Sequence, residues 1–137
     1  MDSLTPEERS IRMGLVRSRD TKPEMVVRRL LHRMGYRYRL HGKGLPGKPD
    51  IVFGKRRKVI FIHGCFWHRH DDPTCRLARL PKSRLEFWEP KFEATVARDA
   101  RAEADLQGRG WQVLVVWECE LRNSEPLENK LRQFLEG

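Results

Sequence analysis

The sequence predicts an α/β domain with helices flanking a central mixed sheet, and three observations carry that prediction. "DIVFG" and "KVIFI" are short apolar stretches joined by the basic turn "GKRR", which reads as a hairpin. "WQVLVVW" at 111–117 is almost continuously apolar, the pattern of a strand covered on both faces. Around these strands lie segments with helical start and stop signals, in an order that suits a layered α/β arrangement.

Taken in order, "TPEE" at 5–8 combines an N-cap, a proline and two acids, and opens a first helix to about Arg17. "TKPE" at 21–24 repeats the signature, and "MVVRRLLHRMG" carries a second helix to a C-cap at Gly35. "YRYRL" at 36–40 alternates like a strand, and "GKGLPGKPD" is a loop. The hairpin follows, with Asp50 and His63 near the two ends of its chain. A helical segment runs from about Lys82 to Gln107, with a break or kink expected at Pro90. After the strand at 111–117, "PLENKLRQFLEG" closes the chain as an amphipathic helix. The 137 residues make one domain, with no repeat, low-complexity tract or long linker.

Lys plus Arg number 28 against 19 Asp plus Glu, a formal net charge of +9. Such an excess on a small domain points to a polyanion, nucleic acid first, against the plainer alternative of a generally basic surface. No apolar run approaches the ~20 residues needed to span a bilayer. The N-terminus shows no apolar signal segment, so a cytoplasmic location without membrane contact is expected. Three cysteines cannot pair completely, which leaves metal binding or simple burial.

The densest chemistry lies in "FIHGCFWHRHDDPTC" at 61–75. Cys65, His70 and Cys75 are separated by four residues each, and three such donors in one short loop form a partial zinc site. Cys119 could supply the fourth ligand if the strand at 111–117 lies beside residues 59–63. A closed set of three thiolates and one imidazole leaves no position for water, so that zinc would be structural. The alternative is that Cys119 is a core thiol and the other two are incidental. The His-x-Glu and Pro-Cys-x-x-Cys pattern of zinc deaminases is absent.

Asp50 opens a strand after a Pro/Gly-rich loop, a position that suits either a turn residue or a carboxylate holding Mg²⁺ against a phosphate. A Pro-Asp of this kind also occurs in nuclease metal sites, but the acid-x-lysine that often follows there is missing from "FIHG". A free imidazole titrates near neutrality, so His63 or His68 could activate a water or protonate a leaving oxygen. Phe66 and Trp67 are adjacent and, on an extended segment, would point opposite ways. Beside a basic surface they suit wedges between base pairs, and Trp88 either joins them or is a core residue of its helix.

Together "RSRDTKPE", "LPGKPDIVF", "VIFIHGCFWH", "EFW", "RD" at 98–99 and "GWQVLVVWECEL" occur in order, and over about Arg9 to Arg122 the chain resembles the very-short-patch repair (Vsr) mismatch endonucleases of bacteria. The resemblance implies a three-layer, restriction-endonuclease-like fold of the PD-(D/E)xK superfamily. It also implies nicking of one strand next to the T of a T:G mismatch, the product of 5-methylcytosine deamination. In that reading Asp50 and the backbone carbonyl of Ile62 bind Mg²⁺, His68 is the general base and His63 a second catalytic histidine. Glu24 is an acid close to the active site, besides serving as a capping-box acid, and Asp99 orders metal-bound water or pairs with an arginine.

Phe66, Trp67 and Trp88 match the intercalating aromatics, and Cys65, His70, Cys75 and Cys119 the structural zinc ligands. Residues 1–20 correspond to an N-terminal helix or arm that reaches DNA, with Met13 in contact. The family lacks the acid-x-lysine too. Two departures stand out: Ile62 occupies a position that is often threonine, and the loop "HRHDDPTC" is longer than the family's histidine-rich version. The implied partner is double-stranded DNA bearing a mismatch, in the nucleoid, with contacts to mismatch-repair proteins left open. An asymmetric target suits a monomer.

Overall fold

A computed structural model describes residues 21–80 and 82–137. The expected first helix, the arm at 1–20 and Met13 lie outside the described residues. Helix α1 (Lys22–Arg33) starts where Thr21 Oγ1 accepts the Glu24 N–H at 3.4 Å, with Pro23 in the first turn. It stops in paired reverse bonds, Tyr36 N–H to the Leu31 carbonyl at 3.0 Å and Gly35 N–H to that of His32 at 3.1 Å. Gly35 at φ 96° supplies the left-handed turn they require. Val27, Leu30 and Leu31 fall on one face and are buried there.

The sheet contains β1 (Arg39–Leu40), β2 (Ile51–Phe53), β3 (Lys58–His63) and β4 (Gln112–Trp117), in that spatial order. The first three run antiparallel, with Leu40 opposite Ile51 and Ile51 opposite Ile60. β4 joins β3 in parallel, Val59 facing Val113 and His63 facing Trp117, so the sheet is mixed as expected. The strand expected at 36–40 shrinks to two residues. Tyr36 and Tyr38 instead set their rings edge-on to Phe53, with centroids 6.3 and 6.2 Å away.

Helix α2 (Leu85–Gly108) makes the parallel crossover and α3 (Ser124–Glu136) ends the chain. The expected break at Pro90 is not found: α2 is continuous from Leu85. Pro90 lies in the second turn, where its missing N–H removes one helical bond. One sheet face packs on α1 and α3 through Leu31, Ile60, Val116 and Leu131. The other packs on α2 through Val59, Phe61 and Leu106. Three layers result, and each fully buried Leu or Ile stabilises them by roughly 1.5–3 kcal/mol.

Both faces of β4 are covered as expected, Val113 and Val115 toward α2, Leu114 and Val116 toward α1 and α3. Only Val116 is fully buried, because β4 is the last strand of the described sheet. Among the described residues no helix is long and apolar enough to cross a membrane.

Candidate active site and metal-binding cluster

The antiparallel register brings the chain ends of the β2–β3 hairpin to one edge of the sheet, so Asp50 and His63 share its open end. There the Asp50 side chain reaches across the hairpin, and its Oδ2 accepts the Ile62 N–H at 2.7 Å. The loop at 42–49 is clasped at its base: His41 N–H donates to the Asp50 carbonyl at 3.0 Å and Gly42 N–H to that of Pro49 at 2.9 Å. That clasp extends the β1–β2 pairing and sets His41 beside Asp50.

Glu24 arrives from the first turn of α1 and is 2% exposed. Its carboxylate is bound by the Arg28 guanidinium one turn on, and His41 Nε2 lies 3.0 Å from Oε2. Burial pushes the Asp50 carboxyl up to about 7. The Ile62 N–H opposes that rise, the neighbouring Glu24 carboxyl adds to it, and Arg28 works against it. Two carboxyl groups packed this closely are the donor chemistry that suits a hard divalent cation.

Beside them His63 (8% exposed) and His68 stack with ring centroids 3.9 Å apart and planes 6° from parallel. Burial lowers His63 to about 4, helped by the adjacent His68 and opposed by Asp99, so this imidazole is neutral at physiological pH. His68 Nδ1 sits 2.6 Å from Oδ2 of Asp99 on α2. Of the two readings of Asp99, the arginine pairing is not what the fold provides; the partner is His68. A carboxylate holding Nδ1–H leaves Nε2 as the basic nitrogen, which is how an imidazole is oriented for general-base work. Asp50, His63, His68 and Asp99 line one cleft of about 620 Å³, with Lys43, Lys48 and Arg98 at its rim.

The second cluster lies just past β3. Parallel pairing of β3 with β4 delivers Cys119 to the loop, as the sequence required of a fourth ligand. Ligand atoms of Cys65, His70, Cys75 and Cys119 all lie within 4.8 Å of one another. Cys119 N–H donates to Cys65 Sγ at 3.4 Å, and Cys119 Sγ is 3.5 Å from His70 Nδ1. The His70 ring stacks on Trp117 at 4.3 Å. Burial pushes Cys65 up to about 12. At Cys75 burial acts the same way, but hydrogen bonds from His70, Cys65 and the 77–78 backbone outweigh it and bring the thiol to about 7. Three thiols and one imidazole at such separations form a donor set for a tetrahedral soft or borderline cation, and the longer loop does not keep Cys75 away.

One expectation about the aromatics is corrected. Residues 64–70 are curled, not extended, by bonds from His68 N–H to the Gly64 carbonyl and His70 N–H to that of Cys65, both 3.0 Å. Adjacent Phe66 and Trp67 therefore converge, their centroids 5.3 Å apart, on a cluster with Trp88 and Phe92. Trp67 is 36% exposed, whereas Trp88 is 6% exposed and packs as a core residue of its helix. Sequence reasoning missed Arg28 and His41. The spacing of Arg28 from Glu24 was a usable signal, but nothing local marks His41, which only the β1–β2 pairing brings to the site.

The chain is similar to known DNA endonucleases. A family profile described as DNA mismatch endonuclease Vsr matches residues 1–74. The type II nicking enzyme V.XorIIP of Xanthomonas oryzae pv. oryzae is 57% identical over 135 residues, 98% of this chain and 97% of that protein. The DNA mismatch endonuclease Vsr of Escherichia coli K12 is 44% identical over 122 residues, 89% of this chain and 76% of that one. Among solved structures, the catalytic domain of the homing endonuclease I-Bth0305I superposes with a TM-score of 0.57 at 19% identity, covering 84% of this chain and 94% of that one. The α/β, restriction-endonuclease-like fold expected from the sequence therefore stands.

Proposed function

The chain belongs to the Vsr family of DNA mismatch endonucleases, and from that premise we propose that it nicks one strand of duplex DNA next to the T of a T:G mismatch. DNA endonuclease activity follows from the family. The observation that carries it is the meeting of the Asp50 carboxyl and the His68–Asp99 pair in one cleft.

Asp50 and the Ile62 carbonyl are the residues that would hold Mg²⁺, which when bound would polarise the scissile phosphate. Nε2 of His68 takes the proton of the attacking water, while Asp99 keeps Nδ1 protonated and the ring in place. His63, neutral and stacked on His68, confines that ring from its other face. Water attack at phosphorus with loss of the 3′ oxygen leaves 5′-phosphate and 3′-hydroxyl ends. Glu24 supports the metal site as a neighbouring acid held by Arg28 and His41. Cys65, His70, Cys75 and Cys119 would hold a structural Zn²⁺ that keeps the 64–75 loop folded beneath the aromatics.

Phe66 and Trp67 enter the base stack at the mismatch, where unstacking is least costly. Trp88 follows only if the aromatic cluster opens, and Met13 supplies the N-terminal contact. Strand nicking is supported by V.XorIIP, a type II nicking enzyme, as well as by the mismatch endonuclease Vsr.

The test is strand-resolved nicking of labelled duplexes in Mg²⁺, carrying T:G, U:G, hypoxanthine, other mismatches or full pairing. One nick beside the T of T:G is expected. Cutting elsewhere in the panel keeps the chemistry and overturns the substrate. Zinc analysis of the purified protein is expected to give about one ion per chain; folded protein without zinc overturns the ligand assignment.

A further inference from the structure

Where the loop at 42–49 crosses α2, it is pinned. Gly47, at φ 71°, packs so closely that an added Cβ would lie 2.7 Å from Ala102 Cβ and 3.2 Å from the Phe61 ring. The next residue, Lys48, is also left-handed, at φ 49°, a strained conformation usually left to glycine or asparagine. The fold keeps a lysine there and points an exposed cation along the rim.

Lys48 faces Arg98 and Arg101 of α2 across a groove floored by Pro46, Gly47 and Ala102. The groove shares Gly47, Lys48, Arg98 and Ala102 with the catalytic cleft, so the two are continuous. Among the described residues Lys48, Arg98 and Arg101 enter no ion pair or side-chain hydrogen bond, unlike Arg109, which is bound to Asp105 at the same groove. The carboxylate lining the groove is Asp105, already held by Arg109, and Glu103 lies toward the catalytic side.

Helix α2 gives the spacing. At 1.5 Å per residue Trp88 lies roughly 16 Å before Asp99, and Arg101 to Asp105 extend roughly 3–9 Å beyond it. Aromatic cluster, the Asp99 carboxylate that orients the general base, and basic groove therefore lie along a single helix.

We infer that the Lys48–Arg98–Arg101 groove is a backbone subsite, which takes the phosphates flanking the scissile one on the side away from the aromatic loop. The inference rests on the nicking reaction proposed above, but not on the mismatch. The groove reads charge and not bases, so it serves a matched duplex equally. Pinning by Gly47 holds the Lys48 side of the groove against α2, and the exposed cations on its two sides suit an anion.

The test is duplex binding by fluorescence anisotropy across a range of salt, with metal omitted so that no cleavage occurs. Lys48→Ala, Arg98→Ala and Arg101→Ala are each expected to weaken matched and mismatched duplexes by a similar factor, about 3- to 10-fold. Each should also flatten the slope of log affinity against log salt by about 0.9 for every phosphate left without its cation. Arg132→Ala on α3 serves as the control for net charge, and a slope change there as large as at Lys48 overturns the assignment.

Neutral methylphosphonates stepped along the nicked strand locate the subsite. One or two positions beside the nick should weaken the wild type and leave the triple variant unaffected. Equal penalties in both overturn the groove as the phosphate-binding surface. Circular dichroism verifies folding of each variant, and Lys48→Arg should restore both affinity and slope. Because binding is read without cleavage on a matched duplex, the groove can fail while T:G nicking stands, or the reverse.

Discussion

The β2–β3 hairpin has two ends built from the same polar materials to opposite effect. At the turn, Lys58 is 6% exposed and its Nζ donates to the carbonyls of Phe134, Leu135 and Gly137 at 2.6, 3.2 and 3.2 Å. Arg56 adds a bond to the Leu135 carbonyl at 2.9 Å, and Arg57 donates to that of Arg109 while lying over the Trp111 ring. Three cations thus satisfy the bare carbonyls at helix ends, where the macrodipole also favours positive charge. At the open end, buried ionisable groups press on one another, and Asp50 and His63 are displaced to about 7 and about 4. Polar groups at the turn hold the fold together; those at the opening are held by the fold, at some cost to stability.

That contrast can be broken or sharpened by substitution, and the largest effect belongs to the open end. Asp50→Ala is expected to lower single-turnover nicking by 10³-fold or more, on the order of 4 kcal/mol of barrier, while duplex affinity without metal stays near that of the wild type. Loss of binding in step with activity would point instead to a collapsed site. His68→Ala should cost about 10²- to 10⁴-fold, and Asp99→Asn less, because a base that has lost only its orienting partner still accepts a proton. An Asp99 variant as slow as the His68 variant would mean that the pair does not divide the work in this way.

At the turn, Lys58→Met leaves three helix-terminal carbonyls without their charged donor and should destabilise the protein by about 2–3 kcal/mol in urea unfolding. Nicking per folded molecule should be unchanged. Slower chemistry at full stability would erase the distinction between the two ends.

A further effect is one of sign. In the metal-free protein Asp50 binds its proton more tightly when folded, near 7, than at the ordinary 3.8, so stability falls as pH rises from about 4 to about 7. Asp50→Asn lacks that decline. The variant should match the wild type near pH 4 and exceed it at pH 7 by up to about 4 kcal/mol. His63 acts in the opposite direction: its depressed value contributes stability above pH 6.5 that is lost toward pH 4. Paired thermal melts of the wild type and Asp50→Asn across that range isolate the Asp50 part, and a variant less stable at pH 7 contradicts the burial argument.

Much of the molecule was legible without coordinates because its signals are local. The cap at Thr21, the stop at Gly35, the hairpin around "GKRR" and the amphipathic last helix each depend on residues within a turn or two. The residue types and order of "HGCFWH", with "LPGKPD" before it, were enough to identify the family and to nominate Asp50, His63, His68 and the cysteines. What local pattern misread were the limits set by packing: a strand at 36–40 that is only two residues long, and a proline that does not break α2.

Tertiary structure alone decided the rest. Cys119 reaches Cys65, 54 residues away, only because β4 lies parallel to β3. His41 meets Glu24 only because β1 pairs with β2 beside α1. Of the basic residues that the composition offered to nucleic acid, Lys58 proved to be a helix cap, whereas Lys48 faces the cleft. Sequence period and capping chemistry specify which elements form, since those energies act within a few residues. Which charges are buried, paired or left facing a substrate depends on contacts between elements, and that is where the stabilising and the functional charges were separated.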